Sequence, residues 1–157
     1  MSDQTMNEQG LAPLNFDSID VGDKLPGLVF GPISRHTLAL FCGGSGDHNP
    51  IHVDSDFAKE SGYDDVFVHG MLPMAILGRL LTNWTRQENI KTFAVRFMSI
   101  TQIRDEVNAS AIVKEKVSAG GENRLILDVE THTQSGTKTL SGTAEICVPD
   151  VLVESNK

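Results

Sequence analysis

The chain has 157 residues, 39% of them hydrophobic and 22% charged, with a net charge of −8 and a pI near 5.0. That is the balance of one globular domain, too acidic for a nucleic-acid or anionic-membrane surface, though a local basic patch could still meet a phosphorylated ligand. No apolar run reaches the ~18 residues of a membrane span. Cys42 and Cys147 fit no metal or redox spacing, so both are expected as reduced, packed thiols of a cytoplasmic protein.

Residues 1–15 are polar and lack the basic start and apolar run of a signal peptide, which predicts a flexible N-terminal segment. The domain proper is expected over 16–150, with 151–157 as a tail. Leu25 to Phe30 reads as a first strand, and Pro26 places it at a sheet edge. Ser34 is a good N-cap for a helix whose apolar side carries Leu38, Leu40, Phe41 and Cys42, and Gly43-Gly44 is expected to end it. Asp54 or Ser55 caps a short helix through Phe57 and Ala58 that stops near Gly62. Tyr63 to Val68 is a connecting loop.

Met71 to Trp84 reads as the structural centre, a helix apolar nearly all round and therefore buried, with its methionines as core filling. Pro73 sits in its first turn, where a missing N–H costs least. Arg79 is the polar exception and is expected at an edge or against a partner chain. From Ile90 the period changes to two. Phe93, Val95 and Phe97 form one run and Val107, Ala109, Ala111 and Val113 a second; Leu125, Leu127 and Val129 form a third, and Thr137 to Val148 is the last strand. Turns at Gly120-Gly121 and Ser135-Gly136 make this an antiparallel meander. One buried helix followed by long antiparallel strands is an α+β layout with the sheet wrapped around the helix.

The chemistry is concentrated between Phe41 and Met71, which holds three of the five histidines. Proline at position 50 disfavours helical geometry in Asn49 and removes an N–H of its own. Asp47 to Asn49 is thus a turn after a helix, and a turn can aim the Asp47 carboxylate and the His52 imidazole at one point. Gly-Asp-His-Asn-Pro also suits a plain surface turn. His48 and His52 are four apart, as a helical metal pair would be, but Pro50 stands between them and no Cys pattern lies nearby. No metal is expected.

The run Phe41-x3-Ser45-Gly46-Asp47-x-Asn49-Pro50-Ile51-His52-x5-Ala58 resembles the signature of the MaoC-like hydratases and dehydratases, which include (R)-specific enoyl-CoA hydratases and hydroxyacyl-thioester dehydratases. His69-Gly70-Met71, opening a long apolar helix, matches the second half of that signature. The resemblance implies a single hotdog fold packed against a second hotdog subunit, as a homodimer or, alternatively, a heterodimer. It also implies reversible hydration of a trans-2-enoyl thioester to the (R)-3-hydroxyacyl thioester, on CoA or an acyl-carrier protein, without a cofactor.

By that resemblance Asp47 and His52 are the catalytic pair. Gly70 is the backbone donor to the substrate carbonyl, where a helix N-terminus favours developing negative charge. Ser45 and Asn49 are expected to hold the loop or the carboxylate, and His69 to contact neighbouring backbone. His48 is expected to face solvent, and His36 and His132 to be ordinary surface or strand residues. Gly78 lines the acyl tunnel in related hydratases, with Leu81 as companion wall, so glycine there implies room for a medium, long or bulky acyl chain. Arg79, Arg86, Lys91 and Arg96 are candidates for CoA phosphates or are simply solvated. The rival readings are a hotdog thioesterase and a nonenzymatic acyl-thioester binding subunit of a hetero-oligomer.

Overall fold

The computed structural model describes residue 11 and residues 14–149. The expected flexible segment and tail therefore lie outside the described residues, apart from positions 11, 14 and 15. Leu14 already packs on the core, and the Asn15 side chain accepts the Asp17 N–H to cap a short 3-10 turn over Phe16–Ser18.

Five strands make one antiparallel sheet in the order β1-β3-β4-β5-β2: β1 Leu28–Phe30, β2 Ile90–Phe97, β3 Val107–Ala119, β4 Glu122–Thr133 and β5 Lys138–Val148. Among the helices are α1 (Arg35–Ser45), α2 (Ser55–Glu60) and α3 (Met71–Trp84). The sheet curls about α3, which touches all five strands. An irregularity in β3 between Val113 and Glu115 helps the long strands bend, since a bulge sharpens local twist. The hotdog layout expected from the sequence is this one.

The period-two runs of β3 and β4 fold as read, whereas that of β2 ends on the exposed Phe97. Val107, Ala109, Ala111 and Val113 are buried, as are Leu125, Leu127 and Val129, while the intervening residues are half-buried or exposed. These inner faces meet Leu72, Ile76, Leu77, Leu80 and Leu81 of α3 in one core. Each such side chain contributes about 1.5–3 kcal/mol when removed from water. The turn glycines Gly120, Gly121 and Gly136 have φ of 62°, 81° and 85°, the left-handed region that lets the chain reverse tightly.

Several expectations need correction. Regular pairing in the first strand begins at Leu28 and not Leu25, because Pro26 supplies no N–H; upstream the chain still touches β3 through a Lys24–Ile112 bridge. β1 does lie at the sheet edge, as proline implied. The meander holds for β3, β4 and β5, but β2 crosses to the far side and pairs with β5. Helix α1 runs through Gly43-Gly44 to Ser45 and ends at Gly46, whose φ of 75° makes the left-handed cap. Leu40 is 64% exposed, since its position in the helix points away from the stripe of Leu38, Phe41 and Cys42.

The largest correction concerns α3. Its bounds are as expected, but in the single chain only one side is buried. Met71 is 51% exposed and Ala75 and Arg79 are exposed, so Met71 is not core filling, whereas the half-buried Met74 does pack on the core. An all-round apolar helix and a one-sided core are reconciled when something further covers the open side.

Candidate active site

The site is made by a short loop caught between α1 and a 3-10 turn, Pro50–His52. Its conformation is written by side chains bonding to backbone two residues ahead. Ser45 Oγ donates to the Phe41 carbonyl at 2.6 Å and accepts the Asp47 N–H at 3.2 Å. The Asn49 N–H donates to Asp47 Oδ1 at 3.3 Å, and the Ile51 N–H donates to Asn49 Oδ1 at 3.2 Å. Small polar residues favour such local bonds over helix continuation. The Ser45 and Asn49 side chains are thus part of the loop's own hydrogen bonding. Asp54 then caps α2, accepting the N–H groups of Asp56 and Phe57.

His52 is buried, at 8% exposure, and its Nδ1 lies 2.8 Å from the Phe67 carbonyl. A carbonyl only accepts, so Nδ1 carries a proton, and in the neutral tautomer that this selects Nε2 is the acceptor. Phe67 stacks edge-on against the same ring at 5.0 Å. The segment carrying Phe67 is anchored in turn by the neighbouring Asp65, paired with Arg35 of α1 at 2.5 Å. The Val66 N–H and the Arg35 guanidinium hold the Asp65 carboxyl below its usual range.

His69 is fully buried. Its Nε2–H donates to the Asp47 carbonyl at 3.3 Å, and its Nδ1 is a buried acceptor with no partner among the described residues. Burial pushes its pKa down, helped by repulsion from His52. The neutral ring stacks on His52 with centroids 4.1 Å apart and planes 31° from parallel, and meets Phe41 edge-on at 5.1 Å.

One side-chain donor atom from each of Asp47, His52 and His69 lies within 4.8 Å of the other two. Three such atoms are also spaced closely enough to share a metal ion. No hydrogen bond joins the Asp47 carboxylate to His52, and the gap suits a water touching both.

Gly70 precedes the first residue of α3 and is exposed. Its N–H has no acceptor among the described residues. Beside it opens a pocket of about 330 Å³ lined by Phe67, Gly70, Phe97 and Leu140 among others. Gly78 and Leu81 are elsewhere: they line a separate hollow of about 510 Å³ further along α3, with Phe93 and Arg79. Leu81 is completely buried, and Phe93 would stand 3.6 Å from a Cβ added at Gly78, so the room left by glycine is bounded by that ring.

His48 and His36 are exposed, and His132 is half-buried on β4, 3.6 Å from Glu130. Cys42 and Cys147 are free and half-buried. Sequence reasoning missed Phe67, whose carbonyl sets the His52 tautomer, because a backbone acceptor leaves no mark in residue type. It also missed Phe97, visible only as one member of an alternating run.

Known proteins resemble this chain in sequence and fold. Residues 23–134 match the MaoC like domain family. The chain is 30% identical over 121 residues to an (R)-specific enoyl-CoA hydratase of Rhodospirillum rubrum, covering 74% of this chain and 81% of that one. It is 25% identical over 136 residues to the fatty acid synthase subunit beta of Saccharomyces cerevisiae, covering 83% of this chain but spanning only 6% of the yeast protein. Among solved structures, the (R)-hydratase from A. caviae superposes with a TM-score of 0.73 at 26% identity, over 84% of this chain and 98% of that one.

Proposed function

The chain belongs to the MaoC like domain family, and we propose that it is a hydro-lyase which adds water reversibly to a trans-2-enoyl thioester, giving the (R)-3-hydroxyacyl thioester. The observation that carries this reading is the grouping of the Asp47 carboxylate and the His52 imidazole within 4.8 Å, near an unpartnered N–H at the start of α3. Relatives named as (R)-specific enoyl-CoA hydratases supply the substrate class.

The chemistry follows from the groups present. A water held between the Asp47 carboxylate and His52 Nε2 gives up a proton to the pair as its oxygen attacks the β-carbon. The pair returns a proton to the α-carbon, so the sum is addition of one water with no change of oxidation state. Because two coupled groups share the proton, the acid and base roles belong to the pair. Negative charge gathers on the thioester oxygen during attack. The Gly70 N–H and the α3 dipole meet it there, a donor of a type worth ~3 kcal/mol in a transition state. Asp47 is held by Ser45, Asn49 and His69, and His52 by the Phe67 carbonyl, so neither must be reoriented when substrate arrives.

The hollow at Gly78 and Leu81 is the proposed seat of the acyl tail, with Phe93 setting its depth. A second hotdog subunit is the proposed cover for the open side of α3 and the free edge of β2.

The test is absorbance at the enoyl-thioester band with trans-2-enoyl-CoAs of increasing length, read beside a thiol assay. Loss of the band without thiol release supports hydration and ranks acyl lengths. Thiol release would replace it with thioester hydrolysis. Binding without turnover on either CoA or carrier-protein thioesters would make the chain an acyl-thioester binding subunit.

A further inference from the structure

The pocket beside Gly70 has an aromatic wall that the chemistry above does not use. β2 runs alongside α3 so that Phe97 faces Gly70 and Phe93 faces Gly78. The spacings agree: four strand residues advance about 13 Å, and eight helical residues about 12 Å. A Cβ built at Gly70 would lie 3.1 Å from Cε1 and 3.3 Å from Cδ1 of Phe97. The ring thus rests directly on the helix start.

Phe97 is 53% exposed, so burial does not explain its place. It is the last residue of β2, an edge strand, and Leu140 is its cross-strand partner. Phe97, Gly70 and Phe67 line the same pocket, and the Phe67 carbonyl holds His52. A thioester that enters this pocket to reach the Gly70 N–H therefore passes the Phe97 ring. A flat conjugated enoyl group can pack on that face, whereas a branch beside the carbonyl projects into it.

We propose that Phe97 is a specificity-determining residue of this site, the wall that admits unbranched enoyl thioesters and rejects those substituted on the α-carbon. The proposal rests on the hydratase reading. It also predicts an energetic coupling to Gly70, because a methyl group at position 70 would push the ring into the pocket.

Wild type, Phe97→Ala, Phe97→Leu, Gly70→Ala and the Gly70→Ala/Phe97→Ala double variant are compared by kcat/KM on straight-chain and 2-methyl-branched trans-2-enoyl-CoAs, with circular dichroism to confirm folding. Phe97→Ala is expected to shift the branched-to-straight ratio by about tenfold or more toward the branched substrate, with Phe97→Leu between, a methyl group being worth that much in an apolar pocket. The double variant is expected to exceed the product of the single effects by about tenfold on the straight chain, as contacting residues couple. A ratio unchanged within about twofold in both Phe97 variants, or additive effects in the cycle, would overturn the proposal. If wild type turns over no enoyl thioester, the hydratase reading fails. The wall is then decided by calorimetry with saturated straight and 2-methyl acyl-CoAs, where Phe97→Ala must show the same shift in binding ratio.

Discussion

Gly142 is a position where the backbone leaves no space for any side chain. It sits in the middle of β5, opposite Val129 of β4 on one side and Val95 of β2 on the other. A Cβ there would stand 2.0 Å from the Ala94 carbonyl oxygen and 2.7 Å from the Val95 Cα, against the 3.4 Å at which ordinary contact begins. Both obstacles are backbone, so no rotamer relieves them, and β2 would have to move off by more than an ångström. Overpacking that side chains can absorb costs about 1–3 kcal/mol. Here the strand's hydrogen bonds are at risk as well, so Gly142→Ala is expected to cost at least about 3 kcal/mol, a large part of the 5–15 kcal/mol typical of a domain. Gly43→Ala is the internal contrast. It lies within α1 with nothing near the added methyl, so it should stabilise by about 0.5–1 kcal/mol. Urea unfolding of both variants reads the difference in midpoint. A Gly142→Ala protein within about 0.5 kcal/mol of wild type would show that the close pairing of β5 and β2 is not as described.

Leu77→Ala removes a completely buried side chain from the centre of α3 and should cost about 3–5 kcal/mol, measured by the same unfolding curves. Ser45→Ala leaves the Asp47 N–H without its acceptor; about 1 kcal/mol of stability is expected to go, with kcat falling more than KM rises in steady-state assays. The buried His69 has its pKa lowered from 6.5 by desolvation first and by repulsion from His52 second. Between 6.5 and that lower native value the unfolded chain binds a proton that the folded chain refuses, so stability falls as pH falls through this window. One such group changes stability by up to about 1.4 kcal/mol per pH unit. Urea midpoints at pH 7.5 and 5.5 should therefore differ less in His69→Gln than in wild type, and equal slopes would count against a neutral His69.

The sheet and the central helix were legible because their signals are periodic. Alternation in β3 and β4 and the apolar run from Met71 to Trp84 place those residues within a position or two of where they fold. The end of α1 was misread because Gly43-Gly44 is a poor helix former, yet packing of Leu38 and Phe41 carries the helix past it to a left-handed cap at Gly46. Half-burial of α3 was not legible, since apolar residues on its open side look the same whether a sheet or another surface covers them. Asp47 and His52 could be paired because they flank Pro50 in one motif, whereas His69, read only as a backbone contact, joins them through the fold, where one donor atom of each lies within 4.8 Å of the others. The wall residues could not be paired in this way. Phe97 meets Gly70 only through the crossing of β2 to the far side of β5, a topology that no local pattern in positions 90–98 encodes.

The most direct test of the central claim is the turnover of Asp47→Asn on a trans-2-enoyl-CoA that wild type hydrates. Asparagine keeps the size of the side chain and an acceptor for the Asn49 N–H, so the loop is expected to survive while the charge is lost. If Asp47 and His52 act as one acid–base pair, turnover falls by about 10²–10⁴-fold with binding of a saturated acyl-CoA little changed. Retention of most of the wild-type rate would contradict the account at its core.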